Sequence, residues 1–271
     1  NTTGDNNTAV GRNALNSNTT GSSNVAVGYA ALSANTTGTG LVAIGAYALD
    51  AISSGADNSV AIGYEALSAH TAAQPSVAVG RGTLKVNTTG QYNVAMGDRA
   101  LMDNTTGDFN TAVGGFALYE NTTANSNTAF GYGALQLNTT GAANVAVGAY
   151  ALDANTTASD NTAVGFNALS DNTTGTYNTA VGRSALGSNT TADRNTAFGY
   201  GALQSNTTGS SNNAFGDLSM STNTTGAQNC AFGRDSLKTN NANYNNAFGH
   251  QTLEKNTTGT QNQAFGLNCE L

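Results

Sequence analysis

The sequence predicts an all-β fold: one parallel β-solenoid of sixteen coils of about 17 residues each, spanning residues 1–271 as a single repeat domain. Three observations predict it. A glycine closing an "AVG"-like triplet recurs sixteen times, from Gly11 and Gly28 to Gly249 and Gly266, and thirteen of the fifteen spacings are 17 residues. Around this marker the columns are strict: Ala stands two residues before it in every repeat, an apolar residue stands just before it, and Leu stands four after it from Leu15 to Leu253, with Met220 as a substitute. The period itself excludes helical repeats, which need over about thirty residues, and suits one coil of a β-solenoid.

Counting from the marker glycine, "NVAVG" alternates as a strand does, so positions −3 and −1 point one way and Ala at −2 the other. Each Phe at −1 (Phe130, Phe198, Phe215, Phe232, Phe248 and Phe265) has a residue other than Val at −3, whereas Val at −3 accompanies only Val, Ile or Met. Such size exchange is expected of two columns sharing a close-packed layer, so −3 and −1 are assigned to the interior. The marker is invariably glycine, which predicts a corner with positive φ.

After the corner, "AL" predicts a second short strand with Leu at +4 inside and the small residue at +3 outside. "NTTG" or "NTTA" then closes the coil. Gly and Ala alternate at its last place, so no left-handed residue is expected there. The single 18-residue spacing falls at "SSGADNS" and the single 16-residue spacing at "TNNAN", both in the closing turn. Small columns at −2 and +3 are expected to face outward and let identical chains pack laterally, as in a three-fold bundle.

The composition narrows function by exclusion. Only 9% of the 271 residues are charged, against roughly 25% in an ordinary globular domain. The formal charge is −7 and the nine Lys and Arg form no basic stripe, so nucleic acid is not an expected partner. No apolar run approaches the ~18 residues of a membrane span. The first residue already lies within a repeat, so no leader is visible and a processed chain or a segment of a longer array is expected. Cys230, at −3, and Cys269, at +3, read as small buried fillers.

His70 occupies the Asn column of a closing turn and His250 follows a marker glycine. Neither has a recurring carboxylate constellation, so no catalytic, cofactor or metal site is expected and the chain reads as a non-enzyme. "GYGAL" opens no helix and is not a phosphate loop. Asp5, Asp57, Asp108, Asp160 and Asp193 read as a solvated edge. Aromatics at +1 and +2 (Tyr29, Tyr47, Tyr64, Phe116, Tyr132, Tyr150, Phe166 and Tyr200) are read as corner cover or interchain packing, the alternative being a ligand-stacking role. "NTT" matches an N-glycosylation acceptor, but glycans on successive coils would stand only ~4.8 Å apart, so a stacked Asn ladder is the favoured reading.

"NSVAIGYEALS" (Asn58 to Ser68) and "SVAVG" (Ser76 to Gly80) resemble the YadA-like head repeats of trimeric autotransporter adhesins, and "NTAFGYGALQSNTTGSSN" resembles repeat arrays of bacterial and phage tail-fibre proteins. The likeness covers the whole chain. It implies a left-handed parallel β-roll, homotrimeric and extracellular or on a virion, serving as a fibre or adhesin. The chain departs from the adhesins in its longer period and in having no coiled-coil stalk or membrane anchor, and from complete tail fibres in having no chaperone domain. The functional expectation is therefore a structural fibre or filament built by self-association, with an adhesin or tail-fibre shaft binding a cell-surface or glycan ligand as the alternative. An ice-binding solenoid is a third reading, weakened because paired Thr19 and Thr20 cannot share one strand face. Joining Leu271 of one copy to Asn1 of the next would space the marker glycines by 16, a value already present, so head-to-tail stacking is also expected.

Overall fold

The computed structural model describes residues 1–54, 57–71 and 74–270. They fall in two compact units, Asn1–Thr140 and Gly141–Leu271. The chain is an all-β solenoid with one three-residue strand in each repeat and no helix among the described residues. The first unit holds β1 (Thr8–Val10), β2 (Val25–Val27), β3 (Val42–Ile44), β4 (Val60–Ile62), β5 (Val77–Val79), β6 (Val94–Met96), β7 (Thr111–Val113) and β8 (Thr128–Phe130). The second holds β9 (Val145–Val147), β10 (Thr162–Val164), β11 (Thr179–Val181), β12 (Thr196–Phe198), β13 (Asn213–Phe215), β14 (Cys230–Phe232), β15 (Asn246–Phe248) and β16 (Gln263–Phe265). Within each unit successive strands pair in parallel and in column register, as in Thr8↔Val25 and Thr162↔Thr179.

The strand faces the opposite way from the expectation. Ala at −2 is fully buried from Ala26 to Ala247, while −3 and −1 are half-buried or exposed. Ala at +3, expected outside, is also buried, as is Leu at +4. The reason is space: within a 17-residue coil Leu at +4 takes the central place. Two Ala and two Asn fill the remainder, so the larger residues of the strand turn outward. The exclusion between Phe at −1 and Val at −3 is therefore crowding on the outer face.

The marker glycine meets its expectation for two reasons at once. Its φ lies between 126° and 139°, and a Cβ on Gly182 would stand 2.4 Å from the carbonyl oxygen of Gly199 in the next coil. The last glycine of the closing turn, such as Gly21 or Gly175, does not have positive φ, also as expected.

The second strand does not form. Positions +2 and +4 take positive φ in successive coils, as at Asn13 (60°) and Leu15 (53°), and again at Ala30 (55°) and Leu32 (51°). An L-residue such as Leu pays sterically for this conformation. Hydrogen bonding between coils offsets the cost, because the turned N–H groups reach opposite neighbours. Ala30 donates to the Arg12 carbonyl of the preceding coil at 3.0 Å, and Leu32 to the Ala48 carbonyl of the following coil at 3.1 Å. Two residues of large–small alternation are too few to distinguish a strand from this turned arm.

Two Asn ladders close the interior. In one, Asn104 Nδ2 donates to Asn87 Oδ1 at 2.7 Å and to the Gly107 carbonyl, three residues on, at 3.0 Å. In the other, at −4, Asn178 Nδ2 donates to the Ala192 carbonyl at 2.8 Å, while its Oδ1 accepts from the Asn195 backbone N–H at 3.0 Å. These amides are fully buried, so the pairing is obligatory. In one coil Leu41 and Ile52 replace both Asn together, and both are buried. The shortened coil is absorbed in its closing turn, where Asn240 donates to the Ala242 carbonyl two residues away. The insertion in "SSGADNS" includes Gly55 and Ala56, which lie outside the described residues, as does Leu271 in the head-to-tail expectation.

Candidate functional site

The outward face of each strand presents only two side chains, at −3 and −1. Stacked in register, they make two continuous columns along each unit. In the first unit the −1 column runs Val10, Val27, Ile44, Ile62, Val79, Met96, Val113 and Phe130, without a polar member. Met96 and Phe130 are 44% and 49% exposed. The second unit continues the chemistry with Val147, Val164 and Val181, then with aromatic rings on every remaining coil.

Those rings form a ladder: Phe198, Phe215, Phe232, Phe248 and Phe265 stack with centroids 6.1, 4.5, 5.0 and 5.0 Å apart and ring planes within 12° of parallel. In-register parallel pairing imposes this geometry, because each ring sits one strand spacing from the next. The companion −3 column shrinks or turns polar beneath them, through Thr196, Asn213, Cys230, Asn246 and Gln263. The −1 column, assigned to the interior from the sequence, is thus an apolar row along the outer face of each unit.

The remaining expected residues are dispersed. His70 is fully buried in the Asn column, whereas His250 is exposed at +1, and the two stand in different units. His70 Nδ1 lies 2.9 Å from Asn87 Nδ2, and its Nε2 is buried. Asn87 can only donate there, since its own Oδ1 accepts from Asn104. His70 Nδ1 is therefore the acceptor and the ring is neutral; burial pulls its pKa down to about 4. Among the described residues no group of three His, Cys, Asp or Glu is placed to hold a metal ion.

Cys230 and Cys269 are half-buried, and Cys230 lies on the outer face instead of inside. The aspartates at −6 also do more than meet solvent. Asp57, Asp108 and Asp193 each accept a 2.7 Å hydrogen bond from a backbone N–H of the preceding coil. In the "NTT" turns the Nδ2 atoms that a glycan would modify are spent in the ladder, as in Asn172 to Asn155 at 3.1 Å and Asn189 to Asn172 at 2.8 Å. Attachment at these sites would break two buried hydrogen bonds, in keeping with the ladder reading.

The aromatics at +1 and +2 line the turned arm as edge-to-face rows. Tyr29, Tyr47 and Tyr64 have successive centroids 5.2 and 6.2 Å apart, and Tyr150 meets Phe166 at 6.3 Å. Sequence reading missed a further set at −5, where Tyr92 stacks on Phe109 at 5.4 Å and Tyr177 lies beneath the Arg194 guanidinium. Their signal was available, since aromatic side chains recur in a column otherwise polar or small.

No helix among the described residues is long and apolar enough to cross a membrane. No protein-family profile matches the chain, and no curated protein sequence matches it.

Proposed function

We propose that the chain is a non-enzymatic structural protein that self-associates laterally into a homotrimeric extracellular fibre. One observation carries this reading: each unit exposes an unbroken −1 column of Val, Ile, Met and Phe on parallel, in-register strands. Monomeric proteins rarely leave a contiguous apolar stripe of this kind in water. The occupant is identified by periodicity. A surface repeating every strand is matched coil for coil by another surface of the same repeat, and a second copy of the chain has one. Three copies turning this face to a common axis cover it on all of them by closed symmetry. The small columns first expected to make the interface are buried within the coil and contribute nothing to it.

Sedimentation velocity of the 271-residue chain tests the reading, with a Phe215→Ser/Phe232→Ser/Phe248→Ser variant beside it. The wild type is expected to sediment as a trimer or larger at micromolar concentration. The variant should dissociate while keeping its β circular-dichroism spectrum. A monomeric wild type would overturn the proposal.

A further inference from the structure

The turned arm of the first unit carries a cleft of about 340 Å³ that no repeat column by itself foreshadows. It opens at Gly82. In the +2 column Gly82 stands between Glu65 and Arg99, and a Cβ there would find its nearest neighbour 3.7 Å away, at Arg99 Cγ. Tyr64 and Arg81 line it together with Lys85, Met102 and Tyr119. Three of the chain's nine Lys and Arg gather in this small area of a protein whose formal charge is −7.

Two of the cations are fixed by carboxylates. Arg81 makes a two-pronged pair with Asp98, at 2.8 and 3.0 Å, and Lys85 lies 2.6 Å from Glu65. Arg99 is different: its guanidinium lies 5.6 Å above the Phe116 ring, and no carboxylate of the described residues is within ion-pair distance of it. The cleft therefore offers a half-exposed aromatic wall at Tyr64, a fixed set of donors and acceptors, and one cation held by a ring and left out of the ion pairs.

We infer that this cleft binds an acidic saccharide unit, a sugar ring bearing a carboxylate. The apolar face of the sugar ring packs on a tyrosine ring. Its hydroxyls exchange hydrogen bonds with the Arg81–Asp98 and Lys85–Glu65 pairs, and its carboxylate takes the fork of Arg99, whose planar donors match it. The volume lies at the small end of ligand pockets and suits one or two sugar rings.

No residue of the −3 or −1 columns proposed for self-association lines the cleft, so its test is independent of that reading. The probe is a galacturonic acid trisaccharide, titrated at low ionic strength against the full chain by isothermal calorimetry, with galactotriose as the neutral comparison. Gly82→Asn fills the cleft without backbone strain, because Asn13 and Asn167 already occupy this column at φ 60° and 53°. Gly82→Asn and Arg99→Gln are each expected to weaken the acidic trisaccharide about tenfold or more, with unchanged melting temperature. Galactotriose should bind at least about tenfold more weakly. Arg183→Gln, which removes a comparable guanidinium 5.5 Å over Phe166 in the other unit, should leave binding intact. Absence of binding to the wild type, full binding to Gly82→Asn, equal affinity for the neutral sugar, or an equal loss in Arg183→Gln would each overturn the inference.

Discussion

Replacing His70 with asparagine should change how the protein responds to acid, by an amount the structure fixes. His70 Nδ1 accepts from Asn87, which is locked by its bonds to Asn104 and to the Gly90 carbonyl at 2.9 Å. A proton on Nδ1 would face the Asn87 amide hydrogens and remove a rung of the ladder, and burial disfavours the imidazolium further. The folded pKa is thus about 4, against 6.5 for an ordinary histidine. Above pH 6.5 both folded and unfolded chains hold a neutral ring, and the protonation penalty is nil. Between 6.5 and 4 the unfolded chain takes up a proton that the folded chain refuses, so stability falls with pH; below 4 the loss levels off. The interval of about 2.5 units corresponds to roughly 3 kcal/mol. That is a fall of roughly 6–12 °C in melting temperature for a chain of this size. In the His70→Asn variant the new amide would accept from Asn87 through an oxygen that does not titrate in this range. Thermal melts of both proteins at half-unit steps from about pH 8 to 4 check this: the difference between the two curves should develop between 6.5 and 4. Parallel curves over that interval would refute the placement of His70 in the ladder.

Asp153 should act in the opposite sense. Burial raises its pKa to about 6, with Asp171 adding to the effect, so the folded chain binds a proton before the unfolded one. Stability from this group grows as pH falls from about 6 to 3.8, by roughly 1–2 kcal/mol after solvent screening; Asp153→Asn should remove that rise in the same melts. Gly182→Ala should cost at least about 3 kcal/mol, combining positive-φ strain with a clash against the Gly199 carbonyl. Gly266→Ala, with a similar φ but nothing within 4 Å of the new Cβ, should cost only about 1–3 kcal/mol in denaturant unfolding.

The period, the all-β class, the positive-φ corner, the buried Leu column and the Asn ladder were all legible in the sequence, because each is written as a recurring column. The direction of the strand was not. Alternation over Thr162, Ala163 and Val164 says that the neighbours of Ala face together, but is symmetric as to which side is the interior. Only the cross-section of the folded coil decides it, and that depends on how much room Leu169 leaves. The left-handed Leu residues were equally hidden, since Leu ranks among the residues least expected at positive φ. The cleft at Gly82 was half visible. A glycine between Glu65 and Arg99 in one column is a legible gap, but the lining from Lys85 to Tyr119 comes from another column and becomes adjacent only once coils are stacked.

Side-chain rungs and coil-to-coil backbone bonds typically join residues 17 apart, from Asn35–Asn18 to Asn223–Asn206. Against a chain of 271 residues that separation gives a relative contact order of about 0.06, just below the range of helical bundles and far below that of most β proteins. Closing one coil requires only a short loop, and each finished coil templates the next, so folding within a unit advances as a zipper. Sheet proteins usually fold slowly because distant strands must meet; here no strand waits for a partner more than one turn away. The same locality makes length a free variable. Duplicating or deleting one 17-residue segment changes neighbours only at the point of the change and leaves every more distant coil as it was.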